Sequence, residues 1–291
     1  MDLQKVENID LIKEIEKRFE ERDHTIYELR VVMQKMEDMN KQLLEAEENR
    51  SKFISIIRNE FNNPLASMIT LSKRLTSKKE KIDIDLIGNS IYRDVLNLNF
   101  QIANIISVAE IEAGTLEKEI SLVDFDEIIE DIKDALQYLI SEKNIKLDIK
   151  TSIQSEAIYQ DEKKIYAILV NLISNGVNFS PKDSTVHLSI TEDEKNLKFV
   201  VQDHGEGISE DNREIIFERF RQAHSGMNRT HMGQGLGMGL IRDYIEFLDG
   251  EYTLESTLDE STTFTFTLPK ETNDDNMFMD DDLLFDDAQE F

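Results

Sequence analysis

Cysteine is missing from all 291 residues, proline occurs three times and glycine eleven times, and 33 Lys plus Arg face 60 Asp plus Glu, a formal charge of −27. Without thiols there are no disulfides, no zinc-thiolate sites and no cysteine nucleophile, a composition compatible with a reducing compartment. The acidic excess repels phosphate backbones and anionic lipid headgroups, which argues against nucleic acid as a partner. No run approaches the ~18 consecutive apolar residues of a membrane span, and no basic stretch followed by an apolar one opens the sequence. The expectation is a cytoplasmic protein without membrane insertion. Apolar residues still make up 40 %, enough to bury a core, and the length allows about two domains and an accessory segment.

Punctuation this sparse, with Pro64, Pro181 and Pro269 far apart, implies long uninterrupted elements. From Ile12 to Leu75 an alternating 3-4 spacing selects nineteen positions, fourteen of them apolar. An apolar seam every 3.5 residues, with Glu, Lys and Arg elsewhere, is what two helices need to supercoil, so a parallel coiled-coil dimer is predicted. Arg22, Asn40, Glu47 and Arg50 interrupt the seam; such polar positions commonly set register. The pattern breaks at Ser77 to Asp83, where Asp83 can cap a second helix running to about Ala113, with the seam Ile84, Ile87, Ile91, Val95, Leu98, Ile102 and Ile105. Gly114 supplies its stop. Two such hairpins would close a dimeric four-helix bundle.

After Gly114 the texture changes to an α+β domain. Helices are predicted over 126–142, 163–179 and 237–248, strands over 146–149, 186–190 and 197–202, and a closing hairpin over 252–268, where Phe264, Phe266 and Leu268 alternate on one face. The segment from Glu271 to Phe291 holds nine acidic residues and no basic one, with islands at Met277-Phe278-Met279 and Leu283-Leu284-Phe285. Such a tail cannot fold alone; it either solubilises the protein or folds on a protein partner. The division is thus 1–50, a coiled-coil helix; 51–114, a helical hairpin; 115–270, the α+β domain; and 271–291, the acidic tail.

Three constellations carry chemistry. Asn171, Asn175 and Asn178 lie four and three residues apart on one helix face. Three amides there are costly unless something accepts them, and Mg²⁺ with nucleotide phosphates would, whereas a polar surface face is the plainer alternative. Asp203-His-Gly205-Glu-Gly207-Ile208 follows a strand. Such a turn lets backbone approach a flat ring while the carboxylate accepts from an exocyclic amine, or it is a plain Asp-Gly turn. Gly233-Gln-Gly235-Leu236-Gly237-Met-Gly239 opens a helix and offers free N–H groups to phosphate. Between them, Arg219, Arg221, Arg229 and His231 flank a stretch suited to a lid. The five histidines lack ligand spacing, which argues against a transition-metal site.

In order and spacing this set resembles the histidine kinase family of two-component systems, over about residues 50 to 270. Asn171 to Asn178 is similar to its N box, Asp203 to Ile208 to its first glycine box, Ile216 to Phe220 to its F box and Gly233 to Leu240 to its second glycine box. Ser107 to Gly114 and Ser261 to Pro269 extend the likeness. The resemblance implies an α+β sandwich of the histidine-kinase, gyrase and chaperone ATPase type, binding ATP and Mg²⁺. It implies Mg²⁺ on Asn175, adenine on Asp203, and a pocket shaped by Asn171, Asn178, Gly205, Gly207, Ile208, Phe217, Phe220, Arg221, Gly233, Gly235, Leu236 and Gly237.

Phe53 to Leu65 resembles the family's H box, except that the histidine expected before Glu60 is Asn59. An imidazole nitrogen attacks a γ-phosphoryl group, whereas the lone pair of an amide nitrogen lies in resonance and is neither basic nor nucleophilic. Glu60 then has nothing to activate, and no other histidine stands in: His24 lies up the coiled coil, and His187, His204, His224 and His231 in the nucleotide domain. Asn178 stands where the family has a basic residue, and Asp259-Glu260-Ser261 replaces a Gly-rich turn. Asn63 occupies the position at which the family orients water to dephosphorylate a receiver domain. Asn171 fills the slot where related ATPases carry a water-activating Glu, which disfavours an ATP-hydrolysing clamp. The expectation is an ATP·Mg-binding, histidine-kinase-like adaptor without self-phosphorylation. It would be a homodimer or a heterodimer with another histidine kinase, and would contact a response regulator receiver domain. The alternatives are a phosphotransferase acting in trans on a partner kinase, a regulator phosphatase using Asn63, and a nucleotide-independent coiled-coil scaffold. An engineered change at Asn59 in an active kinase would give the same sequence.

Overall fold

The computed structural model describes residues 3–76, 83–213, 215–218 and 237–271, and the chain divides into two bodies, Met1–Ser55 and Ile56–Phe291. Helix α1 spans Leu3–Thr76. In the first body Phe19, Leu29, Met33, Met36 and Leu43 are all at least half exposed. Pairs such as Glu48 with Lys52 at 2.6 Å lie one turn apart on its surface. These side chains form an exposed apolar stripe with no core against it among the described residues.

In the second body α2 spans Ile84–Ala113. Asp83 caps it as expected, accepting from the Leu86 N–H at 3.1 Å, and Gly114 ends it in the left-handed conformation, φ 67°. The α2 face buried within this chain carries Ile87, Asp94, Asn104 and Val108. Of the expected apolar seam, Ile84 and Val95 remain exposed. The reason is that the last turns of α2 pack on helices of the α+β domain, so the buried stripe is set by that contact.

The domain continues through β1 (Ser121–Leu122), α3 (Phe125–Lys143), β2 (Lys146–Ser152), β3 (Tyr159–Gln160), α4 (Glu162–Phe179), β4 (Thr185–Glu192) and β5 (Asn196–Asp203). A short α5 (Glu210–Arg213), a 3₁₀ turn (Ile215–Phe217), α6 (Gly237–Phe247), β6 (Glu251–Thr257) and β7 (Ser261–Pro269) complete it. Five strands form one sheet in the order β2-β4-β5-β7-β6, while β1 and β3 pair separately. Among the described strands only β2 and β4 run parallel; the other neighbours in the sheet are antiparallel. Period-two alternation puts Val186, Leu188 and Ile190 of β4, Leu197 and Phe199 of β5, and Phe264, Phe266 and Leu268 of β7 on one buried face. Against it lie Ile128 and Ile132 of α3, Ile165, Ile168, Leu169 and Ile173 of α4, and Ile241 and Ile245 of α6, all buried. Phe199 opposes Phe266 in register, and their rings stack with centroids 4.4 Å apart. The result is a two-layer α+β sandwich.

The replaced turn between β6 and β7 places Asp259 at φ 60°, a left-handed conformation that Asp tolerates better than most residues. The expected turn residues 77–82 and the tail from residue 272 onward lie outside the described residues.

Candidate nucleotide site

The site grows from the ends of β5, α4 and α6. Asp203 is the last residue of β5, and one carboxylate oxygen accepts the Gly205 N–H at 2.9 Å. Burial pushes its carboxyl pKa up, only partly opposed by the Gly205 bond and the nearby His204. Beneath it lies Gly176 of α4, where a Cβ would stand 3.4 Å from that of Asp203. At Gly205 a Cβ would come within 2.8 Å of the Phe179 carbonyl. The first glycine turn therefore packs backbone to backbone on the C-terminal end of α4, an approach only glycine allows.

Gly207 adopts φ 69°, and a Cβ there would collide with the Thr257 carbonyl. Ile208 donates its N–H to Ser256 Oγ at 2.8 Å, and Asp259 N–H donates to the Glu206 carbonyl at 2.7 Å. The glycine turn is thus stitched to the β6–β7 hairpin. Ser256, buried on β6, was not legible as a site residue, because an alternating strand gives no signal that one hydroxyl faces a loop 48 residues away.

On α4 the three asparagines part company. Asn175 is half-buried, and its Nδ2 lies 3.6 Å from Met238 Sδ in the first turn of α6. Its carbonyl oxygen is the kind of hard ligand Mg²⁺ takes, beside the first turn of α6, whose leading N–H groups have no acceptor within the helix itself. Asn178 reaches Ser174 Oγ at 3.4 Å. Asn171 is instead fully engaged: it is buried and forms a reciprocal amide pair with Asn104 of α2, at 3.0 and 3.1 Å. The expectation that all three amides face ligands together therefore meets a competing partner at Asn171.

Lys143, at the end of α3, donates to the carbonyls of Val177 at 3.1 Å and Ser180 at 3.0 Å and also to that of Asn178. It caps the negative end of α4, and burial lowers its pKa. In the sequence it reads only as an ordinary last-turn cation. Phe217 is buried against Tyr252 and Phe264, with ring centroids 5.1 and 6.2 Å away, and so ties the F-box segment to the sheet. Gly237 opens α6. Phe220, Arg221, Gly233, Gly235 and Leu236, with Arg219, Arg229 and His231, lie outside the described residues.

Asn59 and Asn63 are on α1, both exposed; the Glu60 side chain is outside the described groups. Among the described residues no cluster of His, Asp and Glu is arranged to hold a metal by itself. The donors at the site, one half-buried carboxylate, one half-buried amide oxygen and a helix start, fit a nucleotide that brings its own phosphates to Mg²⁺.

Residues 160–272 match the family model described as histidine kinase-, DNA gyrase B- and HSP90-like ATPase. The chain is 29 % identical over 248 residues to the sensor protein KdpD of Clostridium acetobutylicum, covering 83 % of this chain and 27 % of that protein. It is 26 % identical over 247 residues to hybrid signal transduction histidine kinase D of Dictyostelium discoideum, covering 82 % and 16 %. The chain therefore spans less than a third of the length of either relative. Among solved structures, the Acinetobacter baumannii histidine kinase AdeS superposes with a TM-score of 0.53 at 19 % identity, over 73 % of this chain and 98 % of that one. Histidine kinase ThkA in complex with response regulator protein TrrA gives 0.51 at 19 %, over 78 % and 66 %. At these identities the structural likeness is one of fold. A long helix thus precedes an α+β domain, and residues 160–272 of that domain are what match this ATPase family model. No helix among the described residues is long and apolar enough to cross a membrane.

Proposed function

We propose that this chain is an ATP·Mg-binding, histidine-kinase-like component of two-component signal transduction that does not phosphorylate itself and acts through protein contacts. One juxtaposition carries the reading: Asp203, oriented by Gly205 at the end of β5, together with Asn175 beside the first turn of α6. In this reading the Asp203 carboxylate accepts the exocyclic amine of adenine, Asn175 offers its oxygen to Mg²⁺, and the start of α6 with Gly233, Gly235, Leu236 and Gly237 receives the phosphates. Asn171, Asn178, Gly207, Ile208, Phe217, Phe220 and Arg221 complete the pocket. Bound Mg²⁺ would neutralise phosphate charge.

The output is assigned to contact because Asn59 offers an amide where the family's acceptor is an imidazole. Residues 1–50 serve as the coiled coil, 51–114 as the dimerisation hairpin, 115–270 as the ATP domain and 271–291 as a partner-binding tail. The exposed stripe of α1 supports dimerisation, with a second copy or with another histidine kinase. A receiver domain is the proposed partner, as ThkA's complex with a response regulator suggests by analogy. The exposure of Asn63, four residues after Asn59, also supports a reading in which the bundle assists dephosphorylation of that partner.

Calorimetric titration of the full chain with Mg²⁺ and a non-hydrolysable ATP analogue tests the nucleotide site. Saturable one-site binding that Asp203→Ala removes is expected; no heat of binding from folded protein would overturn the proposal.

A further inference from the structure

We infer that Asn104 latches α2 onto the ATP-binding helix by occupying the Asn171 amide, so that nucleotide binding and release of α2 form one coupled equilibrium. This rests on the nucleotide site proposed above.

The latch is a closed pair. Asn104 Nδ2 donates to Asn171 Oδ1 at 3.0 Å and Asn171 Nδ2 donates to Asn104 Oδ1 at 3.1 Å. The second N–H of Asn171 goes to the Ala167 carbonyl at 2.8 Å. Both donors of Asn171 are therefore spent, and the residue is 3 % exposed, Asn104 5 %. A Cβ on Gly237 would stand 3.0 Å from Asn171 Oδ1. The pair thus sits against the first residue of α6, on the same helix as Asn175 and one turn before it.

The rest of the α2 contact is mixed, with Ser107 also hydrogen-bonded to Tyr244 of α6. Residues 94, 101, 104 and 108 follow the 7-3-4 spacing of one helix face. On it Val108 is fully buried, yet Asp94 Oδ2 and Gln101 Oε1 are buried acceptors with no partner among the described residues. Unmade bonds of this kind offset what the amide pair contributes. Farther up α2, Arg93 reaches Glu142 of α3 at 3.6 Å across a half-exposed surface, a weak contact.

The hinge can be placed to a few residues. Gly114 ends α2, whereas from Glu117 onward the chain is clamped to the domain. Lys164 Nζ donates to the Glu117 carbonyl at 2.6 Å, Asp161 accepts the Glu119 N–H at 2.8 Å, and Lys118 pairs with Glu271. The buried Lys164–Asp161 ion pair at 2.5 Å anchors this clamp. Beside Gly114 and Leu116 a cavity of about 340 Å³ opens toward Asp243, Glu246 and Phe247 of α6. The inferred motion is about residues 114–116, beside this cavity.

A ligand shifts such an equilibrium only through unequal affinity for the two states. The inequality inferred here is the Asn171 amide, which belongs to the nucleotide site proposed above and is occupied by Asn104 while α2 is docked. By reciprocity, loosening α2 tightens nucleotide, and nucleotide loosens α2.

The absence of native cysteine makes the test clean. Exposed Asn97 on α2 and Lys198 on β5 are changed to Cys in the full chain, spin-labelled, and diluted with unlabelled protein so that distances are intrachain. Without nucleotide a single narrow distance is expected. Mg²⁺ with a non-hydrolysable ATP analogue should add a second population, and Asn104→Ala should produce it without ligand. Asn104→Ala should also lower the Kd about three- to tenfold, the size of one or two net hydrogen bonds. Asn171→Ala should release α2 equally but without that gain, which separates the latch from general loosening. Unchanged distance and affinity in Asn104→Ala, with nucleotide still bound, overturns the latch alone. No nucleotide binding by any variant overturns the ATP reading and the coupling together.

Discussion

Leucine, isoleucine and methionine are used in opposite ways at the two ends of this molecule. In residues 15–45 they stand in a stripe along an exposed helix, Met36 and Leu43 each 66 % exposed; among the described residues from 123 to 271 apolar side chains are mostly internal, Ile132, Ile165 and Phe266 completely so. The first region has a periodic pattern and no core among its described residues, which is why association is proposed for it. The second has both layers of its core in one chain. A pattern thus tells where apolar surface will be buried, but only composition over a whole domain tells whether the chain can bury it unaided.

The sharpest way to break this comparison is to empty the core of one region and watch the other. Phe266→Ala removes a ring stacked on Phe199 and should destabilise the α+β domain by about 3–5 kcal/mol. In urea unfolding followed by circular dichroism the domain's transition should move while a separate long-helix transition stays. If the two move together, the regions are one cooperative unit.

Asp203 tests whether the domain sacrifices stability for its site. A raised carboxylate pKa means that the folded state holds the proton more tightly than the unfolded one. Folding stability therefore falls as pH rises from the ordinary carboxylate value through the raised one, and the deficit persists at neutral pH. Asp203→Asn should weaken nucleotide binding about tenfold or more, leave the melting temperature equal or higher at pH 7, and remove that pH dependence. A lower melting temperature at pH 7 would assign Asp203 a structural role.

A smaller effect is expected at the β6–β7 turn. Asp259→Gly relieves a left-handed residue and should stabilise the domain by up to about 1 kcal/mol in the same unfolding measurement. Smallest at neutral pH is Glu192→Gln. Lys270, then Ser155 and the Gln154 N–H, hold the Glu192 carboxyl at a pKa of about 2. Its contribution is complete above about 4.5 and lost as pH falls toward about 2. The variant should therefore lower the melting temperature slightly at pH 7, by a difference that shrinks as pH falls toward about 2, and so flatten acid unfolding in that window.

Much of this was legible beforehand. Helices expected over 126–142 and 163–179 occupy Phe125–Lys143 and Glu162–Phe179, and strands expected over 186–190 and 197–202 occupy Thr185–Glu192 and Asn196–Asp203. Asp83 and Gly114 bound α2 because capping is a local matter. What escaped was non-local or too short to be periodic. The two-residue strands β1 and β3 carry no alternation. The buried face of α2 holds Asp94 and Asn104, so a search for apolar stripes passes over it. Asn171 was visible as one of three amides on a helix face, but its partner lies 67 residues away. Ser256 and Lys143 act on backbone groups, and any serine or lysine could do the same.

The most direct measurement incubates the purified full chain and Asn59→His with γ-labelled ATP and Mg²⁺, with nucleotide binding followed for both. Label on Asn59→His alone, with both proteins binding ATP, is the expected result: a sound nucleotide site set beside a residue that cannot accept phosphate. Label incorporated by the chain as it stands would contradict this and make it a working kinase with a different acceptor.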